Sequence, residues 1–123
     1  MARNACVWHV CSGDTGWHSD CGLEWEQKSL VPCLKIAFYL DRLTQNSGAV
    51  RVIPGSYHYK DSYMAELHDN LQMDKGSPED LLGVAPQHVP CYVAETEPGD
   101  LVCFDHRTKH SAFGGGPRRR MFT

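Results

Sequence analysis

The chain has 123 residues, 41% of them hydrophobic and 22% charged, with a formal charge of −3; this is the composition of a globular unit with room for one core. That balance excludes a general nucleic-acid binder, which would carry a basic stripe, and no run of about 18 apolar residues is present to span a membrane as a helix. Six cysteines without a Cys-x-x-Cys pair signal neither a zinc site nor a disulfide scaffold, and those inside apolar runs, such as Cys33 and Cys103, read as buried free thiols of a cytoplasmic protein.

Residues 5–11 are β-prone and end at the turn signal Ser12-Gly13-Asp14, which predicts a first strand. His9 within it reads as a packed or rim histidine. If residues 15–20 are extended, His18 and Asp20 lie two apart and share one face of a strand. With seven histidines in the chain, roughly half a His-x-Asp arises by chance, so the tripeptide alone decides nothing. An imidazole and a carboxylate aimed the same way become informative only if a second imidazole joins them, because two histidines and one carboxylate on one side of an ion leave its other positions open.

Residues 22–29 have no period and read as a loop. The strongest strand signal runs from Cys33 to Asp41: Leu34, Ile36, Phe38 and Leu40 share one face, expected to be core, while Lys35, Ala37, Tyr39 and Asp41 form a mixed face suited to lining a pocket. Lys35 and Tyr39 could reach an anionic ligand there, a solvated lysine being the simpler reading of the first. Thr44 to Gly48 is a tight turn, 49–53 a short strand, and Pro54-Gly55-Ser56 stops it. Helical spacing over Lys60 to Met73, with a second helix start at Ser77-Pro78 that Gly83 and Pro86 close, predicts a helical insert over about 60–84. Strands follow at 91–95 and 101–104. The polar run from Asp105 leads to His110, a glycine loop covers 114–117, and 119–123 opens a last strand. Several short strands separated by turns predict one mainly β, jelly-roll domain over 1–123.

Trp17-His18-Ser19-Asp20, Ala37-Phe-Tyr-Leu-Asp41, Asn46-Ser-Gly48, Val52-Ile-Pro-Gly-Ser56, Pro98-Gly-Asp-Leu-Val-Cys-Phe104, His110 and Arg119 occur in an order that resembles the phytanoyl-CoA dioxygenase family. The resemblance implies a cupin-like double-stranded β-helix with one inserted helix and an enzyme dependent on Fe(II), 2-oxoglutarate and O2. It identifies His18, Asp20 and His110 as the catalytic metal ligands, with His106 the competitor for the distal place. It puts the distal carboxylate of 2-oxoglutarate on Arg119, whose planar fork suits a carboxylate; Arg118 or Arg120 could take that role through a one-residue slip. The implied reaction hydroxylates a small organic molecule and decarboxylates the keto acid to succinate and CO2, and a carboxylate at position 20 argues against a halogenating relative.

Two departures accompany the resemblance. The family carries a substantial region ahead of the His-x-Asp strand, so this chain reads as a fragment, its barrel cut short at both ends with strand edges exposed. Ala112 stands where relatives often place a serine against the cosubstrate, and Ser111 could substitute. The alternative reading is a truncated non-catalytic module or a cupin-like binder of another divalent metal.

Overall fold

A computed structural model describes residues 8–10, 13–20, 34–58, 83–116 and 119–123. Eight short strands run through them: β1 (Trp8–Val10), β2 (Thr15–His18), β3 (Leu34–Tyr39), β4 (Val50–Val52), β5 (Tyr92–Ala94), β6 (Leu101–Asp105), β7 (His110–Ala112) and β8 (Arg120–Phe122). They form two four-stranded sheets, β1-β8-β3-β6 and β2-β7-β4-β5, with every neighbouring pair antiparallel. The chain changes sheet at each step except β4 to β5. This is the jelly roll expected from the alternation of short strands and turns. The expected helical insert falls almost wholly in 59–82, outside the described residues; after it, the chain makes a single 3-10 turn, Pro86–His88. Among the described residues no helix is long and apolar enough to cross a membrane.

Two apolar clusters hold the sheets. Trp17, Ile53, Val89 and Phe113 pack together, with the Trp17 indole N–H donating to the Pro86 carbonyl at 2.8 Å. Ala37, Tyr39, Leu43, Ala49 and Met121 form the second cluster, to which Val93 and Val102 add, so both sheets contribute to it. Burying such side chains is worth about 1.5–3 kcal/mol for each large one.

β3 lies the other way round from the expectation that its aliphatic face is core. Leu34 and Ile36 are 68% and 48% exposed and Phe38 is also open, whereas Ala37 and Tyr39 are buried. The register Ile36↔Cys103 and Phe38↔Leu101 gathers Leu101 and Cys103 onto the same outward face, so Cys103 is an exposed free thiol and not the buried one expected. The physical reason is that strand alternation separates two faces without saying which is inside, and an apolar side chain is not thereby a buried one. Here the space between the sheets belongs to the mixed face.

Candidate metal centre

The two histidines meet because of strand pairing. His18 on β2 stands directly across from His110 on β7, and residues so paired bring their side chains close on one face. The two rings lie 4.2 Å apart between centroids. From Thr15↔Ala112 to His18↔His110 the register slips, because β2 advances three residues while β7 advances two. This one-residue bulge contains Gly16 and turns both Thr15 and His18 toward the cavity, leaving Trp17 to the apolar cluster.

The backbone sets the ring orientations. His18 Nδ1 is 2.8 Å from the Gly16 carbonyl and His110 Nδ1 is 2.9 Å from the Thr108 carbonyl. A carbonyl only accepts, so each Nδ1 carries the proton and each Nε2 presents its lone pair. Asp20 completes the group, though not by strand alternation: β2 ends at His18 and Asp20 occupies a bend, fixed by its N–H donating to the His106 carbonyl at 3.2 Å. Its carboxylate oxygens lie 3.7 Å from His18 Nε2 and 3.6 Å from His110 Nε2. The three donor atoms fall within 4.8 Å of one another. His106 itself sits in the turn after β6 and is not part of that group.

This donor set fits a divalent transition metal. Two imidazoles and one carboxylate on one side are the ligand types such ions accept. His110 Nε2 is buried with no hydrogen-bond partner among the described residues, an expensive condition for a polar atom unless something binds it. Burial, with the His18 charge beside it, pushes the His110 pKa down to about 4 against the opposing pull of the Thr108 carbonyl and Asp20. The ring is therefore neutral at ordinary pH and free to ligate. For Asp20, burial opposes ionisation, but the hydrogen bond from Lys35 and the nearby His110, Lys35 and His18 charges outweigh it and hold the carboxyl below its ordinary value.

Lys35 is the residue that sequence reasoning undervalued. Its Nζ lies 2.7 Å from Asp20 Oδ2, and the side chain lines the cavity instead of pointing into solvent. The signal was its place on the mixed face of β3, two residues before Ala37 and four before Tyr39.

The cavity beside the group has a volume of about 220 Å³ and is walled by Ala37, Tyr39, Val50, Phe104 and Met121 among others. Arg119 also lines it; this arginine is only 5% exposed, and its Nε and Nη1 have no partner among the described residues. Arg120 points the other way and is engaged by Asp41, with Nη2 2.6 Å from Oδ1 and its own N–H on Oδ2. Arg118 lies outside the described residues. Ala112 puts a methyl on the wall, while Ser111 pairs across the strand with Arg51 and its hydroxyl is buried without a partner among the described residues.

The remaining motifs position these groups. The Ser56 hydroxyl donates to the Ile53 carbonyl and accepts the Lys109 N–H, at 2.7 and 2.8 Å, while Ile53 N–H reaches the Lys109 carbonyl. The end of β4 is thus tied to the residue before His110.

A jelly roll that turns two histidines toward its cavity, beside an aspartate spaced to share a metal ion with them, defines the class of cupin-like jelly-roll proteins. A sequence model of the phytanoyl-CoA dioxygenase family matches residues 7–121, and the chain belongs to that family. Comparison with curated proteins finds no match. Among solved structures the chain is similar to EvdMO1 (21% identity, 94% of this chain, 24% of that one, TM-score 0.55). It is also similar to AviO1 from Streptomyces viridochromogenes Tue57 (19% identity, 94% and 45%, TM-score 0.55). A third likeness is to EvdO2 from Micromonospora carbonacea var. aurantiaca complexed with 2-oxoglutarate (19% identity, 99% and 51%, TM-score 0.51). At these identities the likeness shows a shared fold and nothing finer. The chain spans from about a quarter to about half of the length of these structures.

Proposed function

We propose that this chain carries the catalytic core of a cytoplasmic Fe(II)- and 2-oxoglutarate-dependent dioxygenase that hydroxylates a small organic substrate. The observation that carries the reading is one cavity with two features: Nε2 atoms of His18 and His110 converging beside it with the Asp20 carboxylate, and a buried Arg119 whose Nε and Nη1 have no partner among the described residues. Family membership and the 2-oxoglutarate complex of EvdO2 support it.

His18, Asp20 and His110 would hold the iron. Bound there, iron supplies the O2 chemistry that couples decarboxylation of the keto acid, to succinate and CO2, with insertion of one oxygen atom into a substrate C–H bond. The chain's own contribution is electrostatic and geometric. The Gly16 and Thr108 carbonyls keep both rings in the ligating tautomer. Arg119 would take the distal carboxylate of the keto acid as a bidentate pair, in surroundings where a charge-assisted hydrogen bond is worth about 1.5–3 kcal/mol. Tyr39, Val50, Phe104 and Met121 exclude water from the reacting centre.

Anaerobic addition of Fe(II) and 2-oxoglutarate is expected to give a weak visible charge-transfer band that His18→Ala abolishes, and admission of O2 with substrate to release succinate. A folded protein that binds Fe(II) and shows no band on adding the keto acid would refute the reading. A second reading, a non-catalytic module that holds no metal, draws on the Lys35–Asp20 ion pair, which already neutralises the carboxylate. Metal content below stoichiometric after saturation with Fe(II), Co(II) and Mn(II) would favour it.

A further inference from the structure

Arg119 has no hydrogen bond at Nε or Nη1 to any described residue, yet it is almost completely buried. A long, flexible side chain with few polar anchors among the described residues depends on shape to hold it, and the shape here is made by two glycines. A Cβ on Gly48 would lie 3.0 Å from Arg119 Cδ and 2.9 Å from the Cα of Gly115; one on Gly115 would lie 3.5 Å from Arg119 Cδ and 3.6 Å from Nη1. The stem of the arginine therefore runs along bare backbone at both positions.

Three loops lock that backbone. Gly13 N–H donates to the Gly115 carbonyl at 2.9 Å, and a Cβ on Gly115 would meet the Gly13 carbonyl at 2.8 Å. Gly114 N–H donates to Asp14 Oδ1 at 2.6 Å, and a Cβ there would fall 2.5 Å from the Asn46 carbonyl. Gly48, at φ +95°, closes the turn whose Ser47 hydroxyl accepts the Thr44 N–H at 2.7 Å. The segments after β1, after β3 and after β7 thus interlock behind a single side chain.

We propose that Gly48 and Gly115 are positioning residues for Arg119. At Gly48 a Cβ would press on the arginine's Cδ, so the missing side chain fixes the line of the stem. At Gly115 a Cβ would make only ordinary contact with the arginine but would drive into the Gly13 carbonyl, so the missing side chain there holds in place the backbone along which the stem lies. Together they set how far the guanidinium reaches toward the metal centre. This rests on the reading of Arg119 as the holder of the distal carboxylate. It adds that the length of dicarboxylate accepted is set by loop backbone and not by the arginine alone. A methyl at position 48 cannot be absorbed by Gly115, whose backbone is tied to Gly13, so the arginine must move. Misplacement of a binding group by about an ångström is enough to cost tenfold or more.

The test compares Gly48→Ala and Gly115→Ala with Gly99→Ala. Gly99 has nearly the same backbone, φ +101°, but open space around it, so it carries the left-handed strain without the contact. The Arg119 Nε–Hε resonance, assigned by its loss in Arg119→Gln, reports the side chain without any ligand. It is expected to shift or broaden in Gly48→Ala and Gly115→Ala and to stay in place in Gly99→Ala. Calorimetric titration of Co(II)-loaded protein is expected to show 2-oxoglutarate bound about tenfold or more weakly by the first two variants, with Co(II) affinity unchanged and oxaloacetate, one carbon shorter, losing less. An unmoved Arg119 resonance overturns the proposal. If the resonance moves but Arg119→Gln binds 2-oxoglutarate as wild type does, the assignment of Arg119 fails and its positioning role with it. Gly115, which lacks the positive φ, decides the matter if Gly48→Ala does not fold.

Discussion

Lys35 shows how one side chain carries opposing demands. Its ammonium holds the Asp20 carboxylate ionised, which favours a metal ligand, yet it competes for the same Oδ2 and sets a positive charge beside any cation the group binds. At a few ångströms, in partly screened surroundings, repulsion between unit charges is on the order of a few kcal/mol. The side chain is about one quarter open to solvent, which reduces that figure. Repulsion and competition together should outweigh the help with ionisation, because a carboxylate is ionised at neutral pH without assistance. Lys35→Met is therefore expected to tighten Co(II) or Mn(II) binding by about three- to tenfold in a pH 7 titration. Weaker binding would mean that the lysine is needed to aim the Asp20 carboxylate. His110 is a simpler case, since burial outweighs the pull of its carbonyl partner and of Asp20 and leaves the ring in the neutral ligating form at ordinary pH.

The strands show which parts of the molecule could be read from the sequence and which could not. Each expected strand is present, and the spacing of turn signals was enough for the jelly roll. Arg119 facing inward beside an outward Arg120 is what alternation predicts. β7, three residues closing a polar run, was not expected as a strand, and three further features escaped. The bulge in β2 is invisible because one extra residue changes the register without changing composition, and so is the end of β2 at His18, which leaves Asp20 in a bend and not on the strand face it was expected to share with His18. The pairing His18↔His110 joins residues 92 positions apart, which no local pattern encodes; it came from an ordered resemblance. The orientation of β3 was misread because its inward face carries the polar groups the cavity uses. That orientation is testable by substitution at adjacent positions. Ile36→Ser, on the open face, is expected to change unfolding free energy by less than about 1 kcal/mol. Ala37→Leu, in the buried cluster, is expected to destabilise by about 1–3 kcal/mol through overpacking and to narrow the cavity. Urea denaturation of both variants checks this, and the reverse order would place the aliphatic face inside.

For the molecule as a whole, the candidate site ties stability to pH. The fold brings together two rings and a carboxylate from β2, its following bend and β7, and the His110 ring among them is buried. In the unfolded chain His110 takes up a proton near its ordinary 6.5, whereas in the folded protein it does so only near 4. Between those values the unfolded state binds more protons, so stability falls as the pH falls, and above the window this contribution is constant. Asp20 has the same sign at lower pH: its folded pKa is below the ordinary 3.8, so its contribution is lost only on acidification beyond that value. A bound metal would steepen the first window, because a protonated His110 cannot be a ligand and the stabilisation from binding, RT ln(1 + [M]/Kd), declines with it. Thermal unfolding of the metal-free protein is therefore expected to show a level Tm above about pH 7 and a falling one from about 6.5 to 4. His110→Asn should flatten that slope, and saturating Co(II) should raise the plateau in the wild type but not in His110→Asn. A Tm that stays level down to pH 4 in the wild type would mean that this ring is not held neutral in the folded protein, which would remove the electrostatic basis for its role as a ligand.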